Sequence, residues 1–344
     1  MSQGAARSTR LPRWGRVALA VLLVLLALAL PRLTSSGYAI NAMITTVRWM
    51  IFALSFDLVA GHAGAVSLGH PVFFGVGAYV AAILGPRLGL TFISDMLLAA
   101  VLMALLALLA GIAFFRIRGV TFAIGTLGAA IIAQLIANNA FTITRGPMCI
   151  QGVARPELTI PFTETTLRVA EPIQYYYLSL PLLFITIIIY LALTSSRLGR
   201  AFTAVREDEV RAFAVGVSPL RYKLLALTVG AGIVGALGSF QAHYVTVVCP
   251  SEMSLALTTT LLIIVFVGGV GSFRGVMIGA LIFSILPRLL EAGGTQAISP
   301  ALQQVVYGVI LVAVMVFMPG GLDDLVSRVT RRLRKAGPRE EQQP

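Results

Sequence analysis

Charge is scarce in this 344-residue chain: Asp, Glu, Lys and Arg together supply 12% of it. Soluble globular domains carry roughly twice that share. With 58% apolar residues and a mean hydropathy of +0.90, too little polar surface remains to hold the chain in water. Histidine is scarcer still. His62, His70 and His243 have no carboxylate cluster or close cysteines beside them, so packing or hydrogen bonding is their expected work and no metal site is expected. No GxxxxGK[ST] loop occurs, and no nucleophile sits in a recognisable catalytic setting, so catalytic residues are not assigned and any energy source lies outside this polypeptide. The two cysteines, Cys149 and Cys249, both fall on one predicted side of the membrane, where a disulfide between them is chemically available.

Long apolar runs are abundant. Ten segments stand out, roughly 17–31, 38–60, 66–85, 94–115, 119–138, 176–194, 224–243, 256–268, 275–290 and 302–318; the eighth and the third look short or interrupted. A run near 20 residues crosses about 30 Å of hydrocarbon as a helix, and in lipid the backbone must satisfy its own polar groups. The sequence therefore predicts an all-α polytopic membrane protein of about ten transmembrane or half-spanning helices. The first run imitates a signal peptide, with Ala27 and Ala29 as a cleavage pattern, but a retained span keeps the count even.

The formal charge of +12 gathers in alternate connections: Arg7, Arg10, Arg13 and Arg16, then Arg116 and Arg118, the stretch from Arg197 to Lys223, Arg274, and the tail from Arg328 to Arg339. Cytoplasmic loops attract Lys and Arg, so both termini are expected in the cytoplasm. Attraction to anionic lipid headgroups accounts for the basic balance, and nucleic acid is not an expected partner. The expected organisation is a basic tail over 1–16, a membrane domain over 17–320 and a basic tail over 321–344. Within it, the connection 139–175 carries Pro147, Pro156, Pro161 and Pro172 and reads as an irregular outer cap.

The inner connection 195–223 carries a helix pattern. Glu207, Asp208 and Glu209 cluster where a helix begins, Arg211 follows, and Gly216 then Pro219 mark its end. Ala212, Phe213 and Val215 give it a small apolar patch suited to a groove on a partner. A solvated basic loop on the lipid surface is the plainer alternative. Two glycine-rich breaks form the second constellation: Gly61, Gly64, Ser67 and Gly69 in GHAGAVSLG, and Gly268, Gly269 and Gly271 in VGGVGSFRG. Paired breaks of this kind point to a permeation path, because unwound backbone at membrane depth is tolerated only beside protein or water. Close helix packing is the other use of such glycines. Asp57, ahead of the first break, is the one clear carboxylate inside a predicted span, and an isolated carboxylate does not make a proton path.

Four ordered blocks carry a resemblance: GHAGAVSLGHPVFFGVGAYVAAIL at 61–84, RGVTFAIGTLG at 118–128, SRLGRAFTAVREDEVRAFAVGVSPLRYKLLA at 196–226 and VGGVGSFRGVMIGA at 267–280. The chain resembles the permease subunit of branched-chain amino-acid ABC importers. That resemblance implies a second homologous permease, two cytoplasmic ATP-binding subunits and a periplasmic solute-binding protein as partners. It also implies a bacterial inner-membrane location, ATP used by the partners, and no cofactor held by this chain. It places the ATPase-coupling loop at Arg206, Glu207, Glu209, Arg211, Ala212, Phe213 and Gly216, and the path beside Asp57, Gly61, Gly64, Ser67, Gly69, Gly268, Gly269 and Gly271. Two departures concern the solute: Thr144, Arg145, Gly146 and Pro147 stand where the family has a threonine, two glycines and a proline, and Asp57 stands where asparagine is common. Urea and short amides are the alternative cargo within the family. An ion-coupled secondary transporter would need several buried ionisable groups along its path, and a membrane scaffold leaves the paired breaks unexplained.

Overall fold

The computed structural model describes residues 36–117, 119–159 and 166–292, with residues 25, 27–33, 305, 308, 309, 312 and 321–324; the side chains of 33, 158–168 and 287–292 are excepted. Most of the segments expected at 17–31 and 302–318, the tail 1–16, most of 321–344 and Arg118 lie outside the described residues.

Six described helices are long and apolar enough to cross a membrane. They are α1 (Gly37–Asp57, prolonged by a π-helical turn over Leu58–His62), α2 (His70–Leu88), α3 (Phe92–Phe114), α4 (Val120–Asn139), α5 (Pro172–Ser195) and α8 (Pro219–Val245). Between the last two run the short helices α6 (Arg197–Glu207) and α7 (Glu209–Ala214); α9 (Leu255–Gly268) and α10 (Phe273–Ala292) follow. The eight apolar segments from 38–60 to 275–290 thus appear as helices with ends moved by a few residues. Local chemistry sets those ends. Thr91 and Ser94 form a reciprocal capping box at the start of α3, Glu171 and Gln174 form one at α5, and Pro172 and Pro219 occupy first-turn positions that need no amide donor. At 1.5 Å per residue the 14 residues of α9 reach about 21 Å, short of a bilayer's core.

The bundle is built around α8, which packs most closely on α3 and α2. Small residues make that approach: a Cβ added to Gly77 would stand 2.5 Å from the Gly235 carbonyl oxygen, and one on Gly238 would stand 2.1 Å from that of Phe74. Lipid offers helices no hydrophobic gain from association, so such backbone-to-backbone fit holds them together. Toward the outside, α3 exposes Leu97, Val101, Leu105 and Leu109 and α4 exposes Ile124, Ile131, Ile132 and Leu135. A surface of that kind has hydrocarbon as its solvent, and the chain is an all-α multi-pass membrane protein.

The connection after α4 is more ordered than the proline content predicts. A short helix Phe141–Thr144 and a 3-10 turn Gly146–Met148 lead into β1 (Ile150–Gln151), while β2 (Glu157–Thr159) and β3 (Thr166–Arg168) form an antiparallel hairpin. β1 pairs with β4 (Val247–Val248), Ile150 opposite Val248, just beyond the end of α8. Cys149 and Cys249 are joined in a disulfide across the same junction, with Cα atoms 4.5 Å apart. The irregular cap of the sequence reading is thereby corrected: pairing partners 100 residues away, invisible to local pattern, order it.

Candidate functional site

The two glycine breaks meet at Asp57. Its side chain is wholly buried, and each carboxylate oxygen accepts one hydrogen bond: Oδ1 from the Gly271 amide at 2.7 Å and Oδ2 from the Tyr190 hydroxyl at 2.6 Å. The same hydroxyl lies 2.8 Å from His62 Nε2. Since the tyrosine proton is committed to Asp57, His62 must donate from Nε2 to the tyrosine oxygen, which fixes its tautomer. A chain of donors thus runs from His62 through Tyr190 to Asp57, linking α1, its π turn and α5.

Two glycines make room for this arrangement. A Cβ on Gly61 would stand 2.1 Å from Asp57 Oδ1 and 2.6 Å from the Gly271 amide nitrogen, so any side chain there expels the carboxylate or the second break. Gly271 itself has φ +81°, a region that side-chain-bearing residues rarely adopt. A positive charge completes the junction. Arg206, at the end of α6, donates from Nη1 to the Gly61 carbonyl and lies against Gly271, where a Cβ would stand 2.5 Å from that nitrogen. Gly64 faces the Arg206 backbone, its notional Cβ 3.1 Å from the Arg206 Cα.

The rest of the first break is held from other helices. Thr126 Oγ1 accepts from the Leu68 amide at 3.0 Å, Thr258 Oγ1 donates to the Leu68 carbonyl at 3.2 Å, and a Cβ on Gly69 would stand 2.9 Å from the Thr126 carbonyl oxygen. Ser67 is buried beside them. Gly268 does different work: a Cβ there would stand 2.5 Å from the Gly275 carbonyl oxygen, so it sets the α9–α10 crossing, and Gly269, at φ +115°, turns the chain after it.

The α6–α7 segment shows two faces. Phe202 and Val205 of α6 are buried, and Ser196 caps its first turn, accepting from the Leu198 amide at 3.1 Å. Asp208 caps α7, with Oδ1 accepting from the Val210 amide at 2.9 Å and the Arg211 amide at 3.0 Å. The Arg211 amide first, then the Val210 amide and the Arg211 guanidinium, hold the Asp208 carboxyl below the ordinary carboxylate range. Glu209 pairs with Lys223 at the start of α8, and Gly216 ends the element at φ +85°. Two expectations are corrected. Glu207 closes α6 rather than opening α7, because Asp208 between them has extended backbone and serves as cap. Ala212 points inward, so the exposed apolar patch is Val210, Phe213 and Val215, each at least 70% exposed.

The structure brings together Asp57, both breaks and Arg206, which the sequence assigns to the inner connection alone, and adds Tyr190, His62, Thr126 and Thr258, which reach the junction and the first break from α5, the π turn, α4 and α9. Sequence reasoning also missed Asp95 as a second buried carboxylate, in the first turn of α3. Among the described residues no group of three or more His, Cys, Asp or Glu side chains is placed to hold a metal ion.

The family described as the permease component of branched-chain amino acid transport systems matches residues 38–315. The high-affinity branched-chain amino acid transport system permease protein LivM of Escherichia coli (strain K12) is 30% identical over 319 residues, covering 88% of this chain and 73% of that protein. BraD of Pseudomonas aeruginosa, of the same description, is 24% identical over 299 residues, covering 82% and 94%. LivH of Escherichia coli (strain K12) matches at 32% over 142 residues, 40% of this chain and 44% of its own length. No solved structure matches significantly. On these grounds the chain belongs to the family of permease components of branched-chain amino acid transport systems.

Proposed function

We propose that this permease forms half of the translocation pathway of an ATP-driven ABC importer for leucine, isoleucine and valine. It works with a second homologous permease, two cytoplasmic ATP-binding subunits and a periplasmic solute-binding protein. It sits in a bacterial inner membrane with both termini cytoplasmic. ATP is used by the partners, and this chain needs no cofactor of its own.

The observation that carries the reading is Arg206. Its guanidinium joins the basic inner connection to both glycine breaks at once, through the Gly61 carbonyl and against Gly271. Only Asp208 separates α6 from α7, and α7 presents Val210, Phe213 and Val215 outward as the contact for an ATP-binding subunit. Closure of the ATP-binding subunits displaces α7 and, through Arg206, biases the Asp57 junction between two arrangements, inward-open and outward-open. A two-state element driven from one side is what alternating access requires.

The test is reconstitution in proteoliposomes with and without the partner permease, ATP-binding subunits and solute-binding protein, followed by leucine uptake. ATP-dependent uptake only by the complete set is the expected result. Uptake by this chain alone, driven by a proton or sodium gradient, would overturn it.

A further inference from the structure

At the end of the bundle opposite the Asp57 junction lies a cavity of about 760 Å³, enclosed by α2, the start of α3, the end of α8 and the strand-bearing cap. Pockets of a few hundred to a thousand Å³ with a few convergent polar groups are the usual size of small-molecule sites. Its charged or titratable side chains are Asp95, His243, Arg155 and Glu157. None of them takes part in the Asp57 junction.

Asp95 is 3% exposed, and its two oxygens differ. Oδ2 stands 3.2 Å from His243 Nε2, while Oδ1 has no hydrogen-bond partner. His243 Nδ1 lies 2.7 Å from the Ala154 carbonyl, an oxygen that only accepts, so Nδ1 carries a proton and the ring is fixed against the cap. The approach of Nε2 to Oδ2 is an ion-pair contact rather than a hydrogen bond, and His243 Nε2 and Asp95 Oδ1 are both buried with no hydrogen-bond partner, so Oδ1 is left unanswered. A buried carboxylate oxygen with no donor costs free energy until one arrives. Gly85 keeps its approach open on one side: a Cβ there would stand 2.9 Å from Oδ1.

Among the described residues Arg155 is the only Lys or Arg lining the same cavity, and it commits one of its five N–H donors to the Ala170 carbonyl at 3.4 Å. Val153, Val169 and Phe92 supply buried apolar wall. A carboxylate, a guanidinium and an aliphatic wall in one chamber match the three parts of an aliphatic amino acid. A neutral amide such as urea could hydrogen-bond to both groups but brings no charge to pair with either.

We propose that this cavity is a binding site for a zwitterionic amino acid with a small aliphatic side chain, taking the ammonium on Asp95 and the carboxylate on Arg155. The inference deepens the transport reading and rests on it. His243 acts as a positioning residue that holds Asp95 Oδ2, so that Oδ1 faces the ligand.

The test is equilibrium binding of radiolabelled leucine to the purified, nucleotide-free membrane complex. Asp95→Asn and Arg155→Gln are each expected to weaken leucine binding about ten- to a hundredfold, the worth of one charge-assisted hydrogen bond. Leucinol, which lacks the carboxylate, should compete worse than leucine in the unaltered complex and equally well in Arg155→Gln, a change that a purely structural arginine would not produce. Arg155 is exposed, so its variant decides the matter even where Asp95→Asn fails to fold. Unchanged leucine affinity in Arg155→Gln, or retained preference for leucine over leucinol, overturns the site. ATP-driven leucine uptake measured in parallel separates the two ideas: uptake with unaltered binding removes only the cavity, and no uptake removes the transport reading.

Discussion

Tyr190 donates its hydroxyl proton to Asp57 across 2.6 Å, though the two residues are 133 positions apart in the chain. That bond ties the C-terminal part of α5 to the place where α1 unwinds and where the second break arrives. Removing the hydroxyl tests the junction with the least change in volume. Tyr190→Phe leaves Asp57 Oδ2 and His62 Nε2 without their shared partner, at a cost of about 1 to 3 kcal/mol. A lowered thermal midpoint of the purified permease is expected. Gly61→Ala should be worse, since its Cβ meets Asp57 Oδ1 at 2.1 Å. Equal midpoints for Tyr190→Phe and the unaltered protein would show that the bond contributes nothing.

The proposed contact with an ATP-binding subunit is best tested at Phe213. Its side chain is 70% exposed, so Phe213→Asp should leave insertion and thermal midpoint within about 0.5 kcal/mol of the original while lowering solute-stimulated ATP hydrolysis of the complex. Glu209 is a poorer choice, because reversing its charge also breaks the pair with Lys223. Full stimulation in Phe213→Asp would move the contact off α7.

Acid should loosen α7. The Asp208 carboxyl titrates below its ordinary value in the folded chain, so its contribution is present above the ordinary carboxylate pKa of about 4 and is lost as pH falls through the lower folded value. Amide exchange at Val210 and Arg211, measured from pH 6 downward and corrected for intrinsic rates, should show protection falling in that window. Asp208→Asn keeps the capping oxygen and should remove the pH dependence. A protection profile equally steep in both proteins would assign the effect to another group.

Arg145 adopts φ +59°, in the left-handed region, at the position where the resembling family carries glycine. Arg145→Gly relieves a backbone cost of about 1 kcal/mol. A raised thermal midpoint is expected, and a lowered one would mean that the arginine side chain makes a compensating contact.

The disulfide between Cys149 and Cys249 closes a loop of 100 residues. Reductant should change the migration of the chain in non-reducing electrophoresis, and Cys249→Ser should lower stability by about 2 to 4 kcal/mol. Identical migration, with both thiols alkylated in intact cells, would show the bond to be absent there.

Much of the architecture was legible because lipid imposes one rule on every span. Runs such as 94–115 and 176–194 had to be helices, since no other backbone satisfies its own polar groups in hydrocarbon. The breaks were visible as glycine clusters and Asp57 as a charge ahead of the first, whereas Arg206 read only as part of the basic inner connection and its reach to Gly61 had no local signal. Tyr190 gave no such signal: tyrosines recur through the chain, and nothing local marks the one that reaches a carboxylate on another helix. Asp95 was overlooked for a related reason. At the edge of a predicted span it reads as a first-turn residue stabilised by the helix dipole, and only His243, on a helix more than a hundred residues later, shows that it is buried and paired.

Composition and periodicity alone determined that this chain lives in a membrane, where its described helices run and which connection carries the short basic helices. Those properties depend on the transfer of apolar side chains from water and on backbone satisfaction, both of which are summed along the sequence. Tertiary structure alone decided that two glycine breaks and a basic helix converge on one carboxylate, that the cap after α4 is pinned to α8, and that Asp95 and Arg155 line one chamber. These depend on which surfaces of distant helices lie within 3 Å of one another, and close packing fixes that only when the whole bundle is assembled.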